Sequence, residues 1–330
     1  MRRFPTAPPR IRLSGSASAS RRELLLFAME PVRFVWRSRF DPSHDNEVLS
    51  EVQRLIDGRD AEEHAVVGDP KPMTYQRRGT KMPDEKYFQS TPVSYFKVQL
   101  QDSFWALRQK IVHEVSVPWA TRHFDAAGGV NAYRAHPEEY AAEVKKGDLE
   151  AIKFIESMAA VVGLQRDAVI EGLTRAWGRE MIAAQTSDGY WPFGWPLASD
   201  SAHRWRAVWW SHEDYALGHY LESGIAVRES TGDAAMYESA VRAVDNMACT
   251  FLGSHRAYAP GDEEIEQALM RLYGATGNPK YLTLCGWLIG QRGHHEGRRS
   301  YGKYSQDHLP IEQQHTIEGH AVRARSSTTG

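Results

Sequence analysis

The chain has 330 residues, of which 40 are basic and 42 are acidic, so its formal net charge is −2. This near-neutral balance, with 42% hydrophobic residues, is typical of a globular protein and argues against nucleic-acid binding along the whole surface. Two cysteines are too few for a disulfide scaffold or a four-cysteine metal site, and no apolar run approaches the roughly 20 residues of a membrane-spanning helix. We therefore expect neither a nucleic-acid partner nor a membrane partner.

Residues 1–31 are predicted to form a disordered tail or a misassigned start. The segment opens with Arg2-Arg3 and contains a run of only five apolar residues, 24–28, whereas the apolar region of a signal peptide has about 7–15. Because no convincing signal peptide is present, the compartment stays open, with the cytoplasm favoured over export.

Residues 32–100 are predicted to be irregular and partly extended, because short apolar stretches are mixed there with Pro, Gly and clusters of charge. Residues 93–100 show the near-alternation of apolar side chains that is typical of a strand. From residue 101 the pattern becomes helical. One predicted apolar stripe repeats every four residues, at Val169, Leu173, Trp177 and Met181.

A repeat of helix-ending turns is the most informative feature of the sequence. Thr231-Gly232-Asp233 recurs 45 residues later as Thr276-Gly277-Asn278, and each copy lies between amphipathic segments. Gly can adopt the left-handed backbone that ends a helix, and Asp or Asn can accept hydrogen bonds from the first N–H groups of the next helix. Helices joined by so short a turn lie antiparallel, so the repeat predicts stacked helical hairpins, in an open solenoid or a closed α/α toroid.

A third copy of the repeat begins at Gly319 and reaches Gly330. Its expected apolar face is replaced by the polar residues 325–328, and its second helix is absent from the sequence. We therefore expect a chain that is cut off rather than finished.

Tryptophans are concentrated between residues 188 and 210, in a segment rich in Pro and Gly. Aromatic rings stack on the apolar faces of sugars and on nucleic-acid bases, but nucleic acid calls for more interleaved cations than the two arginines found here. The segment therefore favours carbohydrate, and a Trp-rich layer between a loop and the helices is the alternative. The five tryptophans are Trp191, Trp195, Trp205, Trp209 and Trp210.

Nine of the fourteen histidines lie after residue 200. His212 and His219 are seven residues apart, which places them two turns apart on one face of a predicted helix. Histidines on such a face can bind sugar hydroxyls or transfer protons, and a structural role is the alternative. The spacing differs from that of the His-Glu-x-x-His zinc motif.

Three glutamates, Glu263, Glu264 and Glu266, are predicted to lie in the first turn of a helix, where negative charge is stabilised, and a role as carboxylates in glycosidic chemistry is the alternative. Cys249 and Cys285 lie inside amphipathic segments and are predicted to be small buried residues.

Residues 205–324 resemble the catalytic domain of glycoside hydrolase family 127 (GH127), the β-L-arabinofuranosidase family. The resemblance rests on several motifs in the same order, and with two earlier motifs it extends over residues 102–324. The motifs are Asp102-Ser103-Phe104-Trp105, Asp188-Gly189-Tyr190, His212 to His219 with Glu222, Gly261-Asp262-Glu263-Glu264-Ile265-Glu266, Leu272-Tyr273-x-x-Thr276-Gly277, Gln291-Arg292-Gly293, Tyr304-x-Gln306-Asp307-His308-x-Pro310 and Gly319-His320-Ala321-Val322-Arg323-Ala324.

The resemblance implies an (α/α)6 barrel and a retaining hydrolysis of terminal β-L-arabinofuranosides. In this family a cysteine thiolate bound to zinc is the nucleophile and a glutamate is the general acid/base. Both follow the Gly-His-Ala-Val-Arg-Ala motif, which here ends six residues before the terminus. Neither Cys249 nor Cys285 lies in a matching motif. Zinc is therefore expected in the full-length family, whereas no cofactor and no catalytic residue is assigned to this chain.

We predict an all-α chain whose antiparallel helical hairpins form part of an (α/α)6 barrel, with a short extended N-terminal region and an incomplete barrel domain at 101–330. The predicted function is that of a glycoside hydrolase for arabinofuranoside-containing glycans, present as a fragment that alone hydrolyses little or nothing. The residues expected to form part of the sugar-binding wall are His219, His320, His212, His308, Asp188 and Tyr190.

Two other functions fit the same residues. One is an α/α-barrel epimerase-like enzyme whose histidines transfer protons on a free reducing sugar. The other is a helical repeat that binds carbohydrate or protein through Trp195 or Trp205 without chemistry. The run of family-like motifs favours the hydrolase.

Overall fold

The computed structural model describes residues 94–126, 147–193, 204–205, 208, 212–254 and 256–323. All of them lie in the second of two units into which the chain divides, Val67–Gly330. The predictions for residues 1–31 and 32–93 lie outside the described residues, as do those for Trp195, Trp209 and Trp210.

The described residues form α-helices connected by turns, and no β-strand occurs among them. A π-helical turn, Val112–Ser116, joins the first two helices, and 3-10 turns occur at Tyr95–Lys97, Lys303–Ser305 and Ile311–Gln313. The α-helices are α1 (Trp105–Ile111), α2 (Val117–Ala126), α3 (Gly147–Leu164), α4 (Ala168–Ala183), α5 (Glu213–Thr231), α6 (Ala235–Phe251), α7 (Glu264–Thr276) and α8 (Pro279–Gly290). None of them is both long and apolar enough to cross a membrane.

The repeated turns form as the sequence predicts. Helix α5 ends at Gly232 (φ 76°) and α7 ends at Gly277 (φ 67°), both in the left-handed region. Asp233 accepts a hydrogen bond from the N–H of Ala235 at 3.0 Å, and Asn278 accepts one from the N–H of Lys280 at 3.1 Å. Each pair, α5 with α6 and α7 with α8, is a helical hairpin.

Helix α5 is the centre of the packing. It contacts α3 on one side and α7 on the other, while α4 and α6 contact each other as the return helices of their hairpins. The prediction of an all-α fold built from antiparallel hairpins is confirmed, in an arrangement consistent with an (α/α)6 barrel.

Close approach between α5 and α7 requires a glycine. A Cβ on Gly218 would lie 2.8 Å from Cγ of Glu264 and 2.9 Å from its carbonyl carbon. This contact presses the first turn of α7 against the middle of α5, and it fixes the distance between the side chains that both helices carry.

Three local predictions are corrected by the structure. Residues 94–100 form no strand, because the segment turns through the 3-10 turn Tyr95–Lys97, whose two aromatic rings are tilted by 50° with centroids 4.1 Å apart. Val169 is 72% exposed, because α4 turns its Ile170–Trp177–Met181 face inward. Cys249 is exposed, while Cys285 is buried as predicted.

Both described tryptophans of the Trp-rich segment are core residues. Trp191 stacks on Tyr220 with ring centroids 4.2 Å apart, and its indole N–H donates to the carbonyl of Met181 at 2.8 Å. Trp205 is 5% exposed and packs edge-on against Tyr190. The faces of these two rings are covered by protein. Trp191 and Trp205 therefore belong to the Trp-rich layer between a loop and the helices and are not open for stacking on a sugar.

Candidate functional site

The candidate site lies where the first turns of α5 and α7 meet. His212 precedes α5 with a left-handed backbone (φ 58°), so it does not share a helical face with His219, and that prediction is wrong. The turn instead directs His212 towards the residues before α7. Its Nδ1 lies 3.1 Å from Oδ2 of Asp262, and Nδ1 of His219 lies 3.3 Å from Oε1 of Glu264.

Asp262 joins His212 to the C-terminal part of the described chain. The Arg323 guanidinium contacts both carboxylate oxygens, with Nε 2.6 Å from Oδ1 and Nη2 3.1 Å from Oδ2. Burial raises the pKa of Asp262, but the hydrogen bond with His212 and the charge of Arg323 outweigh it and hold the pKa below its usual value. Asp262 is therefore a buried carboxylate that keeps its charge and orients His212.

His219, Glu264, Tyr215 and Lys153 form what we call the His219 cluster. Tyr215 meets the ring of His219 edge-on at 4.5 Å, and the ammonium of Lys153 lies 5.0 Å from the Tyr215 ring. Burial, together with the charge of Lys153, lowers the pKa of His219 to about 3. Burial, reinforced by neighbouring carboxylates, raises the pKa of Glu264 to about 8. At neutral pH the histidine is uncharged and the glutamate largely protonated.

A second set of charges lies further along the same helices. Arg271 on α7 contacts Glu222 directly, Glu229 at 3.2 Å and Glu156 at 3.9 Å. Burial, with the charge of Glu222, raises the pKa of Glu156 to about 7 although Arg271 opposes the shift. One guanidinium thus serves three carboxylates from α3 and α5.

Glu263, Glu264 and Glu266 lie at the start of α7 as the sequence predicts, with Glu263 at the N-cap and the other two in the first turn, but none of them is exposed. Glu263 and Glu266 are buried and point at Arg292, which is 1% exposed, with N–O distances of 3.1 Å for each. Arg292 also donates to the carbonyls of Pro260 and Ser305. These groups form a buried polar cluster that ties α7 to the loop after α8, and burial raises the pKa of Glu263 in it to about 8.

Asp307 organises the loop that carries His308 and His320. It is fully buried, it accepts hydrogen bonds from the N–H groups of Gly293 and Tyr301, and Arg298 bonds both its oxygens at 2.6 and 2.7 Å. His320 lies beside Tyr304, with ring centroids 5.1 Å apart, and the Arg323 guanidinium lies over the same tyrosine at 4.8 Å.

Asp188 and Tyr190 make structural contacts, and those of Tyr190 reach the start of α5. The Tyr190 hydroxyl donates to Oε1 of Glu213 at 2.7 Å, and the ring is 1% exposed. Asp188 pairs with Arg204 at 2.6 Å, and hydrogen bonds from Thr186 and Arg204 lower its pKa to about 2.

The structure therefore brings three of the six predicted wall residues into two groups. His219 is in the His219 cluster, and His212 and His320 are linked through Asp262, Arg323 and Tyr304. Tyr190 belongs to neither group and contacts the start of α5 through its hydrogen bond to Glu213. His308 and Asp188 make no described contact with these groups, and the sugar-binding role of all six stays a prediction.

Sequence reasoning did not select Lys153, Glu156 or Arg271 as site residues. The signal was present in α3, where Glu150, Lys153 and Glu156 recur every three residues on a helix whose other positions include fully buried Ile152 and Ile155. A line of charge on an otherwise buried helix indicates a polar interior.

The described residues do not fit a zinc–thiolate centre. No group of three His, Cys, Asp or Glu side chains among them is arranged to hold a metal ion. Sγ of Cys285 lies 3.5 Å from the carbonyl oxygen of Glu266, and burial raises its pKa to about 12, so it is held as a thiol. No step is therefore derived through zinc.

The family model for the GH127 catalytic domain of β-L-arabinofuranosidases matches residues 97–330. Over 208 residues the chain is 30% identical to the non-reducing end β-L-arabinofuranosidase of Bifidobacterium longum subsp. longum, covering 56% of this chain and 31% of that protein.

Two solved structures are similar to this chain. A GH127 β-L-arabinofuranosidase from Geobacillus stearothermophilus T6 has a TM-score of 0.62 at 25% identity, covering 70% of this chain and 41% of its own. A second GH127 β-arabinofuranosidase has a TM-score of 0.63 at 28% identity, covering 71% of this chain and 39% of its own. The chain spans less than half the length of each of these relatives.

Proposed function

The chain belongs to the GH127 family of β-L-arabinofuranosidase catalytic domains, and from that membership we propose that it supplies part of the sugar-binding wall of a glycoside hydrolase. The proposed substrate is a glycan that ends in β-L-arabinofuranose, by analogy with the related β-L-arabinofuranosidases. The proposed hydrolysis retains the anomeric configuration, in line with the family resemblance.

The observation that carries this proposal is the state of His219. Its side chain is 14% exposed, and both ring nitrogens are buried without a hydrogen-bond partner among the described residues. A buried polar atom without a partner costs about 1–3 kcal/mol, so such atoms occur where a ligand or ordered water completes the hydrogen bonds. A sugar hydroxyl matches an uncharged imidazole, because it can both donate and accept.

The nucleophile is proposed to lie outside the described residues. Cys285 is a buried thiol whose pKa is raised to about 12, and Cys249 is exposed with no place in the His219 cluster. A thiol becomes nucleophilic only as a thiolate, so neither cysteine is suited to the reaction. We therefore expect the 330-residue chain to bind the sugar and hydrolyse little or none of it.

The test is to incubate the full chain with p-nitrophenyl β-L-arabinofuranoside and zinc, and to measure sugar binding separately by saturation-transfer NMR with methyl β-L-arabinofuranoside. We expect sugar binding without p-nitrophenol release. Binding should be lost in His219→Ala and retained in His294→Ala, whose histidine is exposed. Turnover that is abolished by a chelator contradicts the proposal that the nucleophile lies outside the described residues. Absence of sugar binding contradicts the proposal that the chain forms part of a sugar-binding wall. Conversion of free arabinose to an epimer supports the epimerase alternative.

A further inference from the structure

Glu264 is a buried carboxyl group without a cation beside it. Its side chain is 14% exposed, and the group within ion-pair distance of it in the described parts of the chain is His219, at 3.3 Å. Burying an ionised carboxylate without a paired cation is costly, so such a group is stabilised by taking up a proton. Glu222 and Glu229, by contrast, both have the Arg271 guanidinium as a partner.

The charges around Glu264 favour its neutral form from each neighbouring element. Glu156 on α3, Glu222 on α5 and Asp262 in the preceding loop all raise the pKa of Glu264, after burial as the largest cause. Lys153 on α3 lowers it but does not reverse the shift, because its ammonium lies near Tyr215 and Glu150 instead. His219, the nearest titratable group, is neutral at pH 7 because burial lowers its pKa to about 3.

Backbone packing fixes the distance between the two side chains. Gly218 precedes His219, and a Cβ there would lie 2.8–3.0 Å from Cγ, the carbonyl carbon and the carbonyl oxygen of Glu264. Neither ring nitrogen of His219 has a hydrogen-bond partner in the described part of the chain, but Oε1 of Glu264 lies 3.3 Å from Nδ1, a distance at which a small rotation of either side chain makes a hydrogen bond. The two nitrogens therefore have different surroundings.

We propose that Glu264 is a positioning residue which, as a carboxylic acid, donates a hydrogen bond to Nδ1 of His219 and so fixes the proton of the imidazole on Nε2. This rests on the proposed function, because Nε2–H then donates to an oxygen of an uncharged sugar. No bond to carbon forms or breaks, and the proton stays on the Glu264 carboxyl. If Glu264 were ionised instead, Nδ1 would carry the proton and Nε2 would be an acceptor.

Histidine tautomers can be read directly in the full chain without sugar. With ¹⁵N-histidine labelling, two-bond ¹H–¹⁵N spectra at pH 7 distinguish a protonated ring nitrogen from an unprotonated one, and His219→Gln assigns the signal. We expect His219 to be protonated at Nε2 in the wild type and in Glu264→Gln, whose amide N–H can also donate to Nδ1. In Glu264→Leu, which has no donor, a mixture of tautomers is expected. Protonation at Nδ1 in the wild type, or a wild-type signal unchanged in Glu264→Leu, overturns the proposal.

Sugar affinity separates this inference from the proposed function. We expect methyl β-L-arabinofuranoside to bind Glu264→Gln within about twofold of the wild type and Glu264→Leu about tenfold more weakly, the loss of about one hydrogen bond. Equal affinity in all three proteins overturns the positioning role while leaving the sugar wall intact. No binding by any of them refutes the proposed function, and the tautomer spectra then still decide where the proton lies.

Discussion

Arg323 bonds both carboxylate oxygens of Asp262, at 2.6 Å through Nε and at 3.1 Å through Nη2, across 61 residues of sequence. Asp262 in turn lies 3.1 Å from Nδ1 of His212. This two-point contact connects the last described helical turn to the residues just before α7. Through Asp262 it also reaches His212, whose backbone is left-handed.

Replacing Arg323 should destabilise the chain strongly. Arg323→Met leaves the Asp262 carboxylate buried without its cation, and breaking a buried pair in this way costs about 3–5 kcal/mol. The free energy of unfolding from urea titration measures the loss. Arg179→Met, which removes an exposed arginine, should change it by less than about 0.5 kcal/mol. A loss of the same size in both variants contradicts a specific role for the Asp262 pair.

Adding a methyl group at Gly218 should separate α5 from α7. Gly218→Ala places Cβ 2.8–3.0 Å from Glu264, and overpacking of this kind costs about 1–3 kcal/mol. Gly274→Ala on α7 is the matched control, because no atom lies within 4 Å of its added Cβ. Alanine is the better helix former, so the free energy of unfolding of this control, measured by thermal unfolding, should equal that of the wild type or exceed it by up to about 1 kcal/mol.

Stability should fall as the pH rises from about 6.5 to about 8. The folded pKa of Glu264 is about 8 against 4.5 for the ordinary side chain, so the folded chain binds more protons than the unfolded chain in this range. Stability present at low pH is then lost as the pH passes the folded pKa. His219 opposes this slope near pH 6.5, because its ordinary pKa is 6.5 and it takes up a proton only in the unfolded chain; this contribution fades above about pH 7.5.

Glu264→Gln isolates this contribution. One such carboxyl can contribute a slope of up to about 1.4 kcal/mol per pH unit, so urea unfolding at several pH values should show a flatter dependence in the variant. Glu263 and Glu156 also have raised pKa values, so they contribute to the pH dependence of stability in both the wild type and the variant. An identical slope in wild type and variant contradicts a protonated Glu264.

The two cysteines should differ sharply in reactivity. Cys249 is exposed, whereas Cys285 is buried with a pKa raised to about 12. A colorimetric disulfide reagent should therefore label one thiol in the native chain and two in urea, and Cys249→Ser should abolish the native reaction. Rapid labelling of Cys285 in native Cys249→Ser would show an accessible thiolate and reopen its candidacy as nucleophile.

Local chemistry explains which parts of the fold the sequence predicts well. The turns at Gly232 and Gly277 depend on a left-handed backbone and on a capping side chain two residues before a free N–H, and both are properties of adjacent residues. The hairpins follow from those turns. His212 was misplaced because it has a left-handed backbone just before α5 and contacts Asp262, 50 residues away.

The charged interior could not be predicted for the same reason. Glu263 and Glu266 look like stabilising charges at a helix start until Arg292 is found between them, 26 residues after Glu266. Trp205 looks like a sugar-stacking ring until Tyr190 and the other rings around it are in place. Burial of a polar or aromatic side chain depends on its distant neighbours, which periodicity does not reveal.

The most direct test of the account is calorimetric titration of the full chain with methyl β-L-arabinofuranoside, in the wild type, His219→Ala and His294→Ala. We predict that the wild type and His294→Ala bind the sugar with equal affinity, and that His219→Ala loses at least about tenfold, because the unpartnered imidazole is gone. Equal binding by all three proteins would contradict the claim that His219 is part of the sugar-binding wall.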